Sequence, residues 1–469
     1  MSAITVTCEN SDGETAVDKN IRLIRQAESI LNNPAPILEQ SVLDDYIREF
    51  INNREAFLDI ARRYQTPLYI LDVKALKQSA RIFEETLTAN IPSLQPYYAV
   101  KSNNHPFIAQ TLAEMDFGLD VSSGRELEMA LNAGASKIIF SGPGKTDEEL
   151  ILALENNDRV ILLMDSFGEL ERLKKIISAR RIYLRAGIRL TTQEEGLWRK
   201  FGIPPGELGR FFHSAADHPY IKLCGLQFHT SWNMNPQAQV KFIKRLGREI
   251  AALSPQARGQ IEFLDIGGGY WPPLGEWLQP AATTEGRLRL CLENAPGTGH
   301  THYHNGAEPL ETFAHDLGRA LKDEIFTQIN CAVFTEPGRW ISHGAMHILM
   351  TVIDKKARDM VVTDGGINMV GWERYESDYF PVINLTRPDA QENACYIFGS
   401  LCTPHDVWGY TFHGRDISVG DVLLVPDQGA YTYSLRQEFI KPVPEVVVLQ
   451  EDRRTAEIIK EAGDTYSTG

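Results

Sequence analysis

The chain has 469 residues, 43% of them hydrophobic, with 47 Lys and Arg against 62 Asp and Glu for a net charge of −15. That length holds two domains, or one large α/β domain with a smaller companion. The acidic balance argues against a phosphate-backbone partner, and no run of eighteen apolar residues offers a membrane span. Six cysteines, at 8, 224, 291, 331, 395 and 402, form no CxxC pair, as expected where thiols stay reduced. The start, "MSAITVTCENSDGETAVDKN", has no basic stretch leading into an apolar one. The expectation is a cytoplasmic protein with no nucleic-acid or membrane partner and no structural zinc.

In chain order, the first 45 or so residues carry no clear element, and "YQTPLYILD" (64–72) reads as a strand. Eight short apolar runs follow: 96–100, 117–121, 137–140, 159–164, 181–188, 222–228, 262–266 and 331–334. Between them lie stretches such as "RELEMALNAGA" and "QAQVKFIKRLGREIAAL", with apolar residues three and four apart. Eight strands alternating with helices predict a parallel TIM (β/α)8 barrel, an α/β fold. The stretch 271–310 is then an insertion at the barrel mouth, and its "HTHYH" (300–304) reads as a solvated loop rather than a metal site. Beyond 343, "HILMTVIDKK", "DMVVTDGG", "DVLLVPDQGAYTY" and "EVVVLQED" predict strands of a second, mostly β domain, sandwich- or barrel-like. The expected divisions are 1–73, an extension whose last strand joins the β domain; 74–342, the barrel; and 343–469, the β domain.

Active sites of such barrels lie at the C-terminal ends of the strands. Lys101, Asp120, Arg185, His229, Gly267, Gly268, Gly269, Glu336 and Arg339 all fall on or just after the apolar runs. A lone strand-end histidine is more often framework and a lone glycine run more often a tight turn, but the whole set at one rim points to chemistry. "DIGGGY" removes side chains where backbone N–H groups approach an anion, with Arg339 adding charge. A desolvated lysine has its pKa lowered and joins carbonyl compounds. A phosphate-bearing aldehyde on a lysine describes pyridoxal 5'-phosphate, with Glu336 suited to the pyridine nitrogen.

Several motifs carry a resemblance: "YYAVKSN", "GLDVSSGRELEMAL", "KFGI", "FHTSW", "LDIGGGY", "TEPGR", "LCTPHDVW" and "GDVLLVPDQGAYTYS". In this order they resemble the alanine-racemase-like (fold-type III) pyridoxal-phosphate decarboxylases, the diaminopimelate and ornithine decarboxylase group, over roughly residues 60 to 450. The resemblance implies Lys101 as the Schiff-base lysine, His229 stacked on the cofactor ring and Glu336 on its nitrogen. It implies a phosphate held by Gly267 to Gly269, Arg339 and Tyr431, and a pocket lined by Asp120 and Arg185. It also implies a homodimer in which Cys402 and Asp406 reach the partner's active site, with Cys402 as proton donor.

Two departures bear on specificity. Where the group has His-x-Gly-Ser, this chain has His229-Thr230-Ser231-Trp232, so either Ser231 takes over the phosphate contact or the indole reshapes the wall. Where the ornithine and diaminopimelate enzymes have an acid after the loop cysteine, this chain has Thr403. A distal ammonium loses a partner there, a change of ~1.5–3 kcal/mol. The Cys-Thr-Pro loop resembles the branch that decarboxylates conjugated amino acids in siderophore and antibiotic pathways. Arg374, Tyr375 and Arg387, with the 271–310 insertion, are candidates for a carboxylate clamp and lid. The expectation is therefore decarboxylation of an α-amino acid or its conjugate, with diaminopimelate decarboxylase as the alternative. A racemase is more distant, because the loop carries a cysteine; an inactive regulator is opposed by Lys101, His229, Glu336 and Cys402 together.

Overall fold

The structure is a computed structural model and describes residues 16–293, 301–371 and 377–458. Three helices open the described chain: α1 (Ala16–Asn32), α2 (Gln40–Asn52) and α3 (Arg54–Tyr64), followed by strand β1 (Leu68–Asp72). The barrel then runs through β2 (Leu94–Ala99), β3 (Gly118–Val121), β4 (Ile138–Phe140), β5 (Val160–Met164), β6 (Leu184–Leu190), β7 (Ile221–Phe228) and β8 (Phe263–Gly268). After a two-stranded ribbon, β9 (Glu276–Leu278) with β10 (Tyr303–Asn305), strand β11 (Ala332–Glu336) pairs with both β2 and β8 and closes the barrel. The expected (β/α)8 architecture is borne out, every neighbour being parallel.

Local chemistry explains the helix starts. Ser123, Thr146 and Ser166 each accept from the backbone N–H three residues on, and Thr146 with Glu149 forms a reciprocal capping box. The strands between these caps are buried almost throughout, as a parallel sheet covered by helices requires.

The β domain contains β12 (Met346–Ala357), β13 (Met360–Thr363), β14 (Ile383–Asn384), β15 (Glu392–Phe398), β16 (Val407–His413), β17 (Val422–Val425), β18 (Val446–Leu449) and β19 (Ala456–Ile458). β12 pairs with both β13 and β17, which closes six strands into a second, smaller barrel. β1 lies between β12 and β18 in the same sheet. Helices α2 and α3 cover it, packing Leu43, Ile47, Phe57 and Ile60 on Leu68, Ile70, Leu349 and Val447.

The stretch 271–310 differs from expectation at "HTHYH". His302 is 4% exposed, its Nε2 lies 2.7 Å from Glu392 Oε1, and its ring stacks on Tyr379. The reason is an anchor at each end: Leu38 N–H donates to His302 O and His304 N–H to Pro36 O, while Trp277 O accepts from Tyr379 N–H. The excursion is thereby stapled to the N-terminal segment and the β domain. Among the described residues no helix is long and apolar enough to cross a membrane.

Candidate active site

Lys101 follows β2 in the short turn Val100–Ser102, with Nζ 2.9 Å from Asp120 Oδ2 at the end of β3. Asp120 is fully buried, and its other oxygen accepts from Ser141 Oγ just past β4. Desolvation was expected to lower the Lys101 pKa, and the structure reverses that sign. Burial does push it down, but the charges of Asp120 and Glu336 outweigh it and hold Lys101 above the usual lysine value.

Glu336 ends β11 and is almost wholly buried. Gln227 Nε2 donates to its Oε1 at 2.9 Å, and His229 Nδ1 stands 3.2 Å from its Oε2. Burial alone would raise this carboxyl. The His229 hydrogen bond, with the charges of Lys101 and Arg189, wins and holds it at about 2. Glu336 is an anion facing the lysine.

The glycine run lets three rim loops close on each other. Gly267 (φ 68°) and Gly269 (φ 86°) are left-handed, where a side chain is strained. A Cβ on Gly267 would also lie 2.5 Å from Phe228 O, and one on Gly268 2.0 Å from Glu336 O. Ser231 packs its Cα against Gly269, while Trp232 sits at φ 53° with 53% of its surface exposed.

Arg339 lies with its guanidinium 4.1 Å from the Trp271 ring and 5.1 Å from that of Tyr431. Tyr431 comes from the β domain: its N–H donates to Ser102 O at 2.7 Å, and Asn103 Nδ2 donates to Gly429 O at 2.9 Å. The lysine turn and the Tyr431 loop therefore fix one another. Beside Arg339 opens a cavity lined by Trp271, Trp277, His343, Tyr379 and Asp427, with Tyr46 of α2 in its wall.

Arg185 is a correction. It stands at the start of β6, the closed end of the barrel, exposed and ion-paired with Glu262. Its place at the rim belongs to Arg189, 8% exposed, whose Nη1 donates to Ser141 O at 2.5 Å. Both lie on one face of the strand by period two, and β6 extends to Leu190, beyond the expected end, so only the strand's true end distinguishes them.

On the CTPHD loop Cys402 is exposed and Thr403 half-buried. Asp406 is a second correction: it is buried, and its carboxylate accepts from Ile367 N–H at 2.7 Å and Leu401 N–H at 2.5 Å, so it braces the loop instead of projecting from it. Arg387 is a third. Its guanidinium is engaged by Asp416 at 3.0 Å, Ser418 at 2.8 Å and Asp421 at 3.5 Å, and Asp421 precedes the opposite end of β17 from Tyr431. Already neutralised, it offers no carboxylate clamp. Arg374 and Tyr375 lie outside the described residues.

Residues 75–285 match the family model "Pyridoxal-dependent decarboxylase, pyridoxal binding domain". Diaminopimelate decarboxylase of Methanothermobacter thermautotrophicus is 25% identical over 425 residues, 87% of this chain and 92% of that one. The 2-[(L-alanin-3-ylcarbamoyl)methyl]-2-hydroxybutanedioate decarboxylase of Staphylococcus aureus is 26% identical over 415 residues, covering 82% and 94%. The solved diaminopimelate decarboxylase of M. jannaschii with L-lysine superposes at a TM-score of 0.72 with 22% identity, covering 86% and 91%.

Proposed function

Because the chain belongs to the pyridoxal-dependent decarboxylases of the diaminopimelate and ornithine decarboxylase group, we propose that its substrate is an amino acid carried on a larger, acidic conjugate. The enzyme is a pyridoxal-phosphate-dependent amino-acid decarboxylase. Bound pyridoxal phosphate supplies an electron sink for the bond between Cα and the carboxylate.

The donor set fits that cofactor: a primary amine for its aldehyde, a buried anion for its ring nitrogen, an imidazole for its ring face and a guanidinium for its phosphate. In our reading Lys101 anchors it, with Asp120 orienting the lysine, and Glu336 and His229 address the ring. Gly267 to Gly269, Ser231, Arg339 and Tyr431 hold the phosphate. Cys402, exposed on the single chain, completes the site of a second copy in a homodimer and delivers the proton after carbon dioxide leaves. The free state of the five described cysteines supports a cytoplasmic setting.

The observation that carries the substrate reading is the CTPHD loop. Thr403 follows the cysteine, and the loop's one acid, Asp406, is spent on backbone N–H groups. A distal ammonium finds no carboxylate there. The named substrate of the Staphylococcus aureus relative, an alanyl group joined through an amide to a hydroxybutanedioate, is of the conjugate kind. The second reading, diaminopimelate as substrate, is favoured by the relative of that name and by "KFGI".

The test is carbon dioxide release, with mass detection of the amine, from the cofactor-loaded enzyme. Substrates are ornithine, lysine, arginine, meso-diaminopimelate and amide conjugates of diamino acids with polycarboxylic acids. Turnover confined to conjugates is expected; efficient turnover of a free diamino acid sinks the conjugate reading.

A further inference from the structure

Beneath Glu336 lie buried polar groups that none of these roles uses. Gln227 on β7 stands directly opposite Asp265 on β8, and β8 in turn pairs with β11, which Glu336 ends. Their exposures are 0%, 0% and 2%, so no solvent can compensate them. Asp265 Oδ1 accepts from Gly267 N–H at 2.9 Å, but Oδ2 meets no donor among the described residues.

Two buried carboxyl groups in contact do not both ionise. The negative charge settles on Glu336, because Lys101, His229 and Arg189 face it and Gln227 donates to it. Asp265 faces the Glu336 and Asp120 carboxyls and the Tyr97 and Tyr270 side chains, with no cation among them. Burial, then the Glu336 charge, push the Asp265 carboxyl well above the usual carboxylate range. A protonated Oδ2 turns the orphaned acceptor into a donor for its neighbouring acceptors, the Glu336 carboxylate and Gln227 Oε1, which likewise meets no partner among the described residues.

We propose that Asp265 is a positioning residue, a neutral carboxylic acid beneath Glu336 that donates a hydrogen bond to it and fixes it as an anion toward the cofactor's ring nitrogen. The inference rests on Glu336 facing that nitrogen. With Gln227 donating to it, the Lys101 and Arg189 charges facing it and the Asp265 acid beneath it, Glu336 is a weak base, and a proton shared with the ring stays on the ring. That is the condition for the ring to act as an electron sink.

The test is isotope-edited infrared difference spectroscopy of the full chain, without and with pyridoxal phosphate, alongside kcat and the pH dependence of bound-cofactor absorbance. A protonated-carboxyl band that Asp265→Asn removes, separate from the Asp427 contribution, is expected at pH 7 in the parent, and its apparent pKa should fall by about one unit or more in Glu336→Gln. Asp265→Asn keeps a neutral donor and should hold kcat within about threefold. Asp265→Leu should lose roughly tenfold or more and shift the absorbance profile. Absence of the band in the parent, or an Asp265→Asn loss as deep as that of Asp265→Leu, overturns the proposal. An acid band that persists while Glu336→Gln leaves the cofactor absorbance unmoved at every pH overturns the placement of Glu336 against the ring instead. The difference between the parent and Asp265→Asn spectra decides the protonation state even if the leucine variant does not fold.

Discussion

The backbone N–H of Asp427 donates to His347 Nδ1 at 3.1 Å, and the two side chains approach to 3.7 Å where the loop after β17 meets β12. The accepting nitrogen carries no proton, so this imidazole is neutral. Burial pushes His347 down from 6.5 to about 4. Burial likewise raises Asp427 from 3.8 to about 7, with the Glu49 and Asp72 charges adding to it against the Tyr46 hydrogen bond. Between about 4 and 6.5 the unfolded chain binds more protons at the histidine, so that group makes stability rise with pH. Between 3.8 and about 7 the folded chain binds more at the aspartate, so that group makes stability fall as pH rises. The two slopes oppose each other over nearly the same window. Asp427→Asn should unmask the rise and His347→Asn the fall, each on the order of 3 kcal/mol across the window, measured by urea unfolding at a series of pH values. Parallel curves for parent and both variants would refute the assignment.

Removing the Asp120 charge should ease cofactor loading at lower pH. Asp120 holds the Lys101 ammonium protonated, and an amine must lose its proton to join an aldehyde. Asp120→Asn is expected to move the pH midpoint of pyridoxal-phosphate uptake toward acid by about 1–2 units, followed by absorbance. Borohydride trapping should mark the peptide carrying Lys101, and Lys101→Ala should abolish the label.

The two arginines of β6 separate cleanly by mutation. Arg185→Ala removes an exposed ion pair worth ~0–1 kcal/mol and should leave kcat/KM within about twofold. Arg189→Ala removes a buried charge acting on Glu336 and should cost about tenfold or more, equivalent to ~1.4 kcal/mol in the barrier. Equal losses would return Arg185 to the site.

The His302–Glu392 contact should hold the 271–310 excursion in place. Both side chains are under a tenth exposed, and losing a buried hydrogen bond to a charged group costs about 1.5–3 kcal/mol. Glu392→Gln is expected to lower stability by that order and to open the excursion to limited proteolysis while the barrel strands stay resistant. An unchanged digestion pattern would show that backbone pairing with Pro36 and Leu38 suffices.

The barrel was legible because each of its strands is short, apolar and separated from the next by a helical pattern. The second barrel was harder: β15 opens on two polar residues and β16 is broken by glycine and threonine and ends on histidine, and neither was foreseen. Helices α2 and α3 were missed because their meaning lies in a partner, the outer face of the β sheet, which no local pattern reveals; α1, largely exposed, rests on no such face. At the site, motif register located Lys101, His229 and Glu336, but direction along an element was invisible. That is why Arg185 stood in for Arg189 and why Asp406 was expected to point outward. Asp265 was passed over as part of a glycine motif, because the feature that marks it is a neighbouring carboxylate contributed by a distant strand.

Strand β1 is made before the barrel, yet its partners are made after it: Leu68 pairs with Leu349 and Tyr69 with Val446. The whole barrel is therefore threaded into the β domain between two of its strands. During synthesis at ~5–20 residues per second, β1 waits some tens of seconds for its antiparallel neighbour. In that interval its apolar edge has no ladder partner and is a template for pairing with other chains. Maturation then has an enforced order. The barrel is free to fold as it emerges from the ribosome, while the smaller domain, and with it the Tyr431 side of the candidate site, is assembled only after β12 and β18 have been made.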